Sequence, residues 1–247
     1  MDRVVYTALS GLRGRMAAQS TIANNIANAS TTGFRAERIA FQDLALIGAA
    51  FEARMPSSEE VIDFDRAAGV TASTGRTLDV AVEGDDWIAV QTKDGEDAYT
   101  RRGELSVAPF GVQLTGAGHP VIGNAGPITL PPSDHIEIAS DGSISIVPTG
   151  GSRDQPQLVD RVKLASATGT ATAKGLDGLL RVKGGGALPD NPDARVRSGA
   201  LEGSNVGMTA ALVAMIENQR SYELQTKLLA TTRQLDEGGA SLMRLQG

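Results

Sequence analysis

Residues 4–28, VVYTALSGLRGRMAAQSTIANNIAN, place Val5, Leu9, Leu12, Met16, Gln19, Ala23 and Ile26 at alternating steps of four and three. Those steps hold side chains on one stripe of a 3.6-residue helix, so the spacing predicts a long amphipathic helix. Gly33 stands just beyond it, after Asn28-Ala29-Ser30-Thr31-Thr32, and glycine is the residue that takes positive φ most readily where a helix or turn must stop. The far end of the chain repeats the pattern. Residues 208–245 contain no proline and carry two overlapping stripes, Met208, Leu212, Met215, Gln219 and Tyr222, then Leu224, Leu228, Leu235, Leu242 and Leu245. Ser204 or Asn205 is suited to cap this second helix, and Glu217, Arg220, Glu223 and Lys227 support it with charges three and four apart. Two interior glycines, Gly238 and Gly239, cost about 2 kcal/mol relative to alanine and predict fraying or a bend.

Between the helices the period changes. Over residues 75–198 short alternating runs recur between turn signals such as Gly84-Asp85-Asp86, Asp94-Gly95, Pro109-Phe110-Gly111 and Asp141-Gly142. Leu78, Val80 and Val82 alternate, as do Leu105 with Val107, Ile136 with Ile138 and Ile144 with Ile146. One buried and one wet face per strand is expected, in a barrel or sandwich. Residues 36–74, with an apolar patch from 39 to 51, read as an extended connector. The expected class is therefore α+β. Its parts are an N-terminal helix within 1–35, the connector 36–74, a central all-β domain over 75–198 and a C-terminal helix within 199–247.

A helix with an apolar stripe draws most of its stability from packing that stripe. At about 1.5 Å per residue the two helices reach roughly 40 and 55 Å, more than a β-domain of this size covers. Two arrangements answer the need, and both can hold together: the first helix folds back on the last, or both pack against neighbouring copies. Asn24, Asn25 and Asn28 lie within about one turn and a quarter, where buried amides fix register and exposed ones are merely solvated.

Composition narrows the function classes. There are 29 acidic and 23 basic residues, a net charge of −6, so no basic surface for nucleic acid is implied. Cysteine is absent, which removes disulfides, thiolate catalysis and thiolate zinc sites. No run approaches 18 apolar residues, so no membrane insertion is expected, and the basic first 35 residues lack the apolar core of a cleaved secretory signal. His119, between Gly118 and Pro120, and His135 read as surface residues, and Asp85-Asp86 as a turn. Gly116 and Gly118 are followed by Val121 where a dinucleotide fingerprint needs a third glycine, and Gly184-Gly185-Gly186 lacks the lysine of a phosphate loop. Neither a catalytic site, a cofactor site nor a metal site is expected, and Trp87 reads as core.

Three stretches go further. Ala23-Asn24-Asn25-Ile26-Ala27-Asn28 with Thr31-Thr32-Gly33-Phe34-Arg35 is similar to the basal-body rod signature of the rod, hook and axial proteins of the bacterial flagellum. Leu78-Asp79-Val80-Ala81-Val82-Glu83-Gly84-Asp85, with Tyr99-Thr100-Arg101-Arg102-Gly103 and Gly116-Ala117-Gly118-His119-Pro120-Val121, resembles the central β-domain of the same family. Met215-Ile216-Glu217-Asn218-Gln219-Arg220-Ser221-Tyr222-Glu223 resembles its C-terminal helix motif. Within the family the ends of the chain and its length look most like the proximal-rod members, with distal-rod members next.

The resemblance implies a structural subunit of a hollow helical rod, its terminal helices paired as a coiled-coil-like core. It implies copies of itself and neighbouring rod proteins of the FlgB, FlgC and FlgG types as partners. It also implies a periplasmic location in the basal body and export by the flagellar secretion apparatus without cleavage. The assembly interface is expected at Leu9, Leu12, Met16, Asn24, Asn25, Ile26, Asn28, Gly33 and Phe34, and at Met215, Ile216, Gln219, Tyr222, Leu228, Leu235 and Leu242. A periplasmic glycan-binding module is the competing reading of the same β-domain.

Overall fold

The structure, a computed structural model, describes residues 2–43, 57–108, 113–115, 118–153, 155–175 and 177–244. The fold is mixed α+β. Helix α1 spans Asp2–Ala27 and helix α2 spans Met208–Arg244. Between them run β1 (Glu37–Asp43), β2 (Ser57–Phe64), β3 (Thr71–Ser73), β4 (Val80–Val82), β5 (Asp86–Gln91), β6 (Asp97–Thr100), β7 (Leu105–Val107) and β8 (Gln113–Thr115). Then follow β9 (Ser133–Ile138), β10 (Ser143–Pro148), β11 (Gln157–Arg161), β12 (Leu164–Ser166), β13 (Thr172–Lys174), β14 (Leu180–Val182), β15 (Val196–Ser198) and β16 (Ala200–Glu202). Two compact units result. A helical unit comprises Met1–Ala27, Glu37–Asp63 and Gly207–Gly247, and a β unit comprises Asn28–Ala36 and Phe64–Val206.

The stretch expected as an extended connector, 36–74, carries three of the strands. It contributes β1 and β2, which pair with each other, and β3, and it is divided between the units. The middle of the apolar patch, residues 44–56, lies outside the described residues.

In the helical unit α1 and α2 lie side by side. Gly11 faces the carboxamide of Gln225, and Asn218 reaches Arg15 and Gln19, so the sequence numbers run in opposite directions and the pair is antiparallel. Among residues 8–27 of α1 the buried ones are Gly14, Ala18 and Thr21, at steps of four and three. This small-residue row is on the far side of α1 from Leu9 and Met16, which are 40% and 60% exposed. The periodicity located the helix correctly, but its buried row is one of short side chains, and its contacts to α2 run from Gly11, the Arg15 carbonyl and Gln19. Helix α2 runs through Gly238 and Gly239, where fraying or a bend was expected, without a break in its helical span. Its cap also differs: the carbonyl of Gly207 takes the first helical N–H, from Ala211, while Asn205 is engaged elsewhere.

In the β unit a five-stranded sheet, β12-β5-β6-β14-β13, lies between two apolar cores. On β5, Ile88 and Val90 enter one core, and Trp87 and Ala89 the other. Strands β4, β5 and β6 are therefore buried on both faces, and the expected wet face is absent there. A strand covered on both sides needs apolar or small residues at every position, and Ala81, Ala89 and Ala98 fill the places that simple alternation assigns to polar side chains. Alternation does hold on β10, where Ile144 and Ile146 are buried beside half-buried Ser143 and Ser145. On β7 Leu105 is buried but Val107 is exposed, which corrects their pairing as one buried face. The other sheets are β11-β10-β9 and the pairs β15-β4, β16-β3 and β7-β8, so the strands are shared among small sheets. The predicted turns at Gly84, Gly95 and Gly142 all use positive φ, whereas residues 109–112 lie outside the described residues.

Candidate assembly site

Two features have the makings of a functional site. The first is the outer surface of the helix pair. With α1 and α2 paired, Leu9 and Met16 on α1 and Met208, Leu212, Val213, Ile216, Tyr222, Leu224, Leu228 and Leu235 on α2 remain exposed. On α2 these form two rows, one through Met208, Leu212 and Ile216 and one through Leu224, Leu228 and Leu235, because steps of four and seven keep a face. On the side of α2 that faces α1, Asn218 is 4% exposed, and its amide donates to the Arg15 carbonyl at 2.9 Å and to Gln19 Oε1 at 2.8 Å.

The second feature begins where α1 ends. The side chain of Asn25 exchanges two hydrogen bonds with the backbone of Glu37, donating to its carbonyl at 2.9 Å and accepting from its N–H at 2.8 Å. Asn24 donates to the Glu37 carboxylate at 2.9 Å, and Asn28 accepts from the Thr31 hydroxyl at 3.1 Å. Asn24 and Asn25 tie the end of α1 to the start of β1 within the helical unit, and Asn28 bonds Thr31 within the β unit. Gly33 takes φ +67° with the Arg101–Arg102 peptide packed against it so closely that a Cβ would lie 2.4 Å from the Arg101 carbonyl carbon. Phe34 is buried, and Lys174 Nζ sits 3.7 Å from its ring centroid.

Next to it lies a nearly dry ion cluster. Arg35, Arg101 and Glu202 are 4%, 2% and 2% exposed. Glu202 Oε1 meets Arg35 Nη2 at 2.7 Å and accepts the Gly69 N–H at 2.9 Å, while Oε2 accepts from Arg101 Nε at 2.8 Å. Arg35 donates further to the carbonyls of Arg66, at 2.8 Å, and Ala67, and Arg101 to those of Asp86 and of Val82, the latter at 3.1 Å. Burial, and then the adjacent Arg101 charge, push Arg35 below the usual guanidinium value, with Glu202 opposing them. Breaking such a buried pair by removing one partner costs about 3–5 kcal/mol.

The expected interface residues fall into groups. Leu9, Met16, Ile216, Gln219, Tyr222, Leu228 and Leu235 are exposed on the helices, and Leu12, Ile26 and Met215 are half-buried there. Asn24, Asn25 and Asn28 bond within the chain, and Gly33 and Phe34 pack inside the β unit. Leu242 belongs to α2, but its side chain is outside the described residues. The residues that sequence reading missed are Arg101, Glu202 and the bridging role of Asn205. A local sign existed only at Glu202, a charge set among Gly199, Ala200, Leu201 and Gly203; the partners of all three lie up to 169 residues away.

Three sequence families match in chain order: "Flagella basal body rod protein" over residues 5–35, "Flagellar hook protein FlgE/F/G D1 domain" over 81–146 and "Flagellar basal body rod FlgEFG protein C-terminal" over 197–242. A discontinuous helix pair joined to a β unit, with these three signatures, defines a structural protein of the flagellar axis. The chain belongs to the flagellar basal-body rod protein family. It is 41% identical to the flagellar basal-body rod protein FlgF of Escherichia coli (strain K12), over 94% of each chain. To FlgF of Salmonella typhimurium it is 39% identical over 98% of each. To the rod protein FlgG of Bacillus subtilis it is 30% identical, over 99% of this chain and 100% of that one. The family is structural, and this chain is a subunit of the rod and not an enzyme. Among the described residues no helix is long and apolar enough to cross a membrane.

Proposed function

We propose that the chain is a subunit of the proximal rod that polymerises through the outer rows of α1 and α2 into the wall of a hollow, torque-bearing shaft. The observation that carries this is the apolar surface left on two helices that are already paired. Burying one leucine is worth about 1.5–3 kcal/mol, so the rows through Ile216, Leu224, Leu228 and Leu235 favour a helical environment supplied by other subunits. Copies of this chain and neighbouring rod proteins supply it, completing a coiled-coil-like core. Head-to-tail contacts that do not close give a helical filament. The proximal position rests on the higher identity to FlgF than to FlgG, with the distal rod as the second reading. Export by the flagellar apparatus and a periplasmic location belong to the same proposal.

The test is a double substitution, Leu224→Asp with Leu228→Asp. Both positions are exposed, so the monomer keeps its β unit, judged by unchanged thermal unfolding, while rods fail to form and the cells do not swim. Normal motility with both charges in place refutes the proposed surface. The level at which tagged protein appears in basal bodies separates proximal from distal rod. Retention on cell-wall sacculi by the β unit alone would instead support the glycan-binding reading.

A further inference from the structure

With Glu37–Asp63 given to the helical unit in between, the chain first enters the β unit at residue 28 and last leaves it at residue 206. These two segments are bonded directly to each other. Gly33 N–H donates to the Glu202 carbonyl at 2.7 Å, Asn205 N–H to the Phe34 carbonyl at 3.3 Å and Ala36 N–H to Asn205 Oδ1 at 2.7 Å. Arg35 meets Glu202 in the same place. A third stretch is tied in: Asp65 N–H donates to the Ala36 carbonyl at 2.7 Å, and the Asn205 amide donates to the carbonyls of Asp65 and Ala67 at 3.0 and 2.9 Å.

The numbers rise together along the two segments, 33 with 202 and 34 with 205, so they run parallel. Tension between the ends of the molecule pulls the first segment toward its N-terminal side and the second toward its C-terminal side. Parallel segments pulled this way slide lengthwise, and the bonds between them are loaded together in shear instead of opening one at a time.

We propose that Arg35, Glu202 and Asn205 form a mechanical clasp that carries tension from the incoming to the outgoing segment and spares the sheets between them. The clasp short-circuits residues 37–201, and Arg101 anchors it to the β unit through the Val82 and Asp86 carbonyls. Its value to the protein rests on the rod reading, but its existence does not. Glu202 and Asn205 are positioning residues that hold the two segments side by side under load.

Force spectroscopy on the full chain tests this. The chain has no cysteine, so Lys93→Cys with Arg153→Cys gives unique internal handles to set against handles at the two termini. The unmodified β unit should withstand a higher force when pulled from the termini than through positions 93 and 153. Glu202→Gln should raise its unfolding rate at fixed force about tenfold or more in the terminal pull, as loss of charged hydrogen bonds implies, and by less than about twofold in the internal pull. Asn205→Ala, which leaves the ion cluster in place, should act in the same direction and serves if Glu202→Gln does not fold. Equal effects in both directions of pull, or no directional difference in the unmodified chain, overturn the clasp. Because the isolated chain is measured, failure of rod assembly with a directional clasp intact would count against the rod reading alone.

Discussion

Gly33 combines two demands that only glycine meets, a left-handed backbone and a neighbouring peptide where a Cβ would stand. Gly33→Ala should therefore destabilise the β unit by at least about 2 kcal/mol, read as a lower denaturation midpoint in urea. Tyr99 makes a different kind of contribution. Its buried hydroxyl accepts the Leu188 N–H at 2.7 Å, and burial raises the phenol above its usual value. Tyr99→Phe leaves that N–H unpaired and should cost about 1–3 kcal/mol. The sign with pH follows from the raised value: the stabilisation is complete below the ordinary tyrosine range near 10 and is lost as pH rises through the folded-state value. An alkaline stability titration should fall less steeply in the Tyr99→Phe protein than in the original. Glycine at a turn was legible in the sequence, since Gly33 follows the periodic run. That Arg101 would pack against it was not, because the two stand 68 positions apart in the chain.

At the scale of elements, α2 accepts two glycines because helix formation is cooperative and its remaining residues form helix well. A Cβ on Gly238 would meet open space. Gly238→Ala should stabilise the helix by about 0.5–1 kcal/mol, seen as a higher melting point of the helical signal in circular dichroism with no change in the β unit. Both long helices were readable from periodicity, to within a few residues at each end, since an unbroken 3.6 pattern over 25 residues has no other reading. Which face packs was not readable. Hydrophobic spacing marks the apolar side, whereas the buried positions are Gly14, Ala18 and Thr21, whose short side chains carry little hydrophobic signal. The strands failed in the same physical way: a second core behind β5 removes the alternation on which the one-face prediction depended. Of the assembly site, the exposed leucines were visible in the sequence, and the ion cluster behind residue 35 was not.

For the whole molecule, the division into two units has a thermodynamic reading. The β unit holds two apolar cores and the buried charges, while the helices keep large apolar side chains in water. The helical unit should then melt first and separately, so that heating gives two transitions, with hydrogen exchange fast across α1 and α2 and slow across β5 and β6. A single cooperative transition would contradict that division. The order of the pieces along the chain matters as well. The helix made first finds its partner in the helix made last, and β3 and β4 find theirs in β16 and β15, which precede that helix by only a few residues. A polypeptide emerging N-terminus first can pair strands β5 to β14 among themselves as they appear, whereas β3, β4 and α1 must wait for β16, β15 and α2. Vectorial synthesis therefore builds the middle of the β unit before its edges, a timing written into the order of its elements.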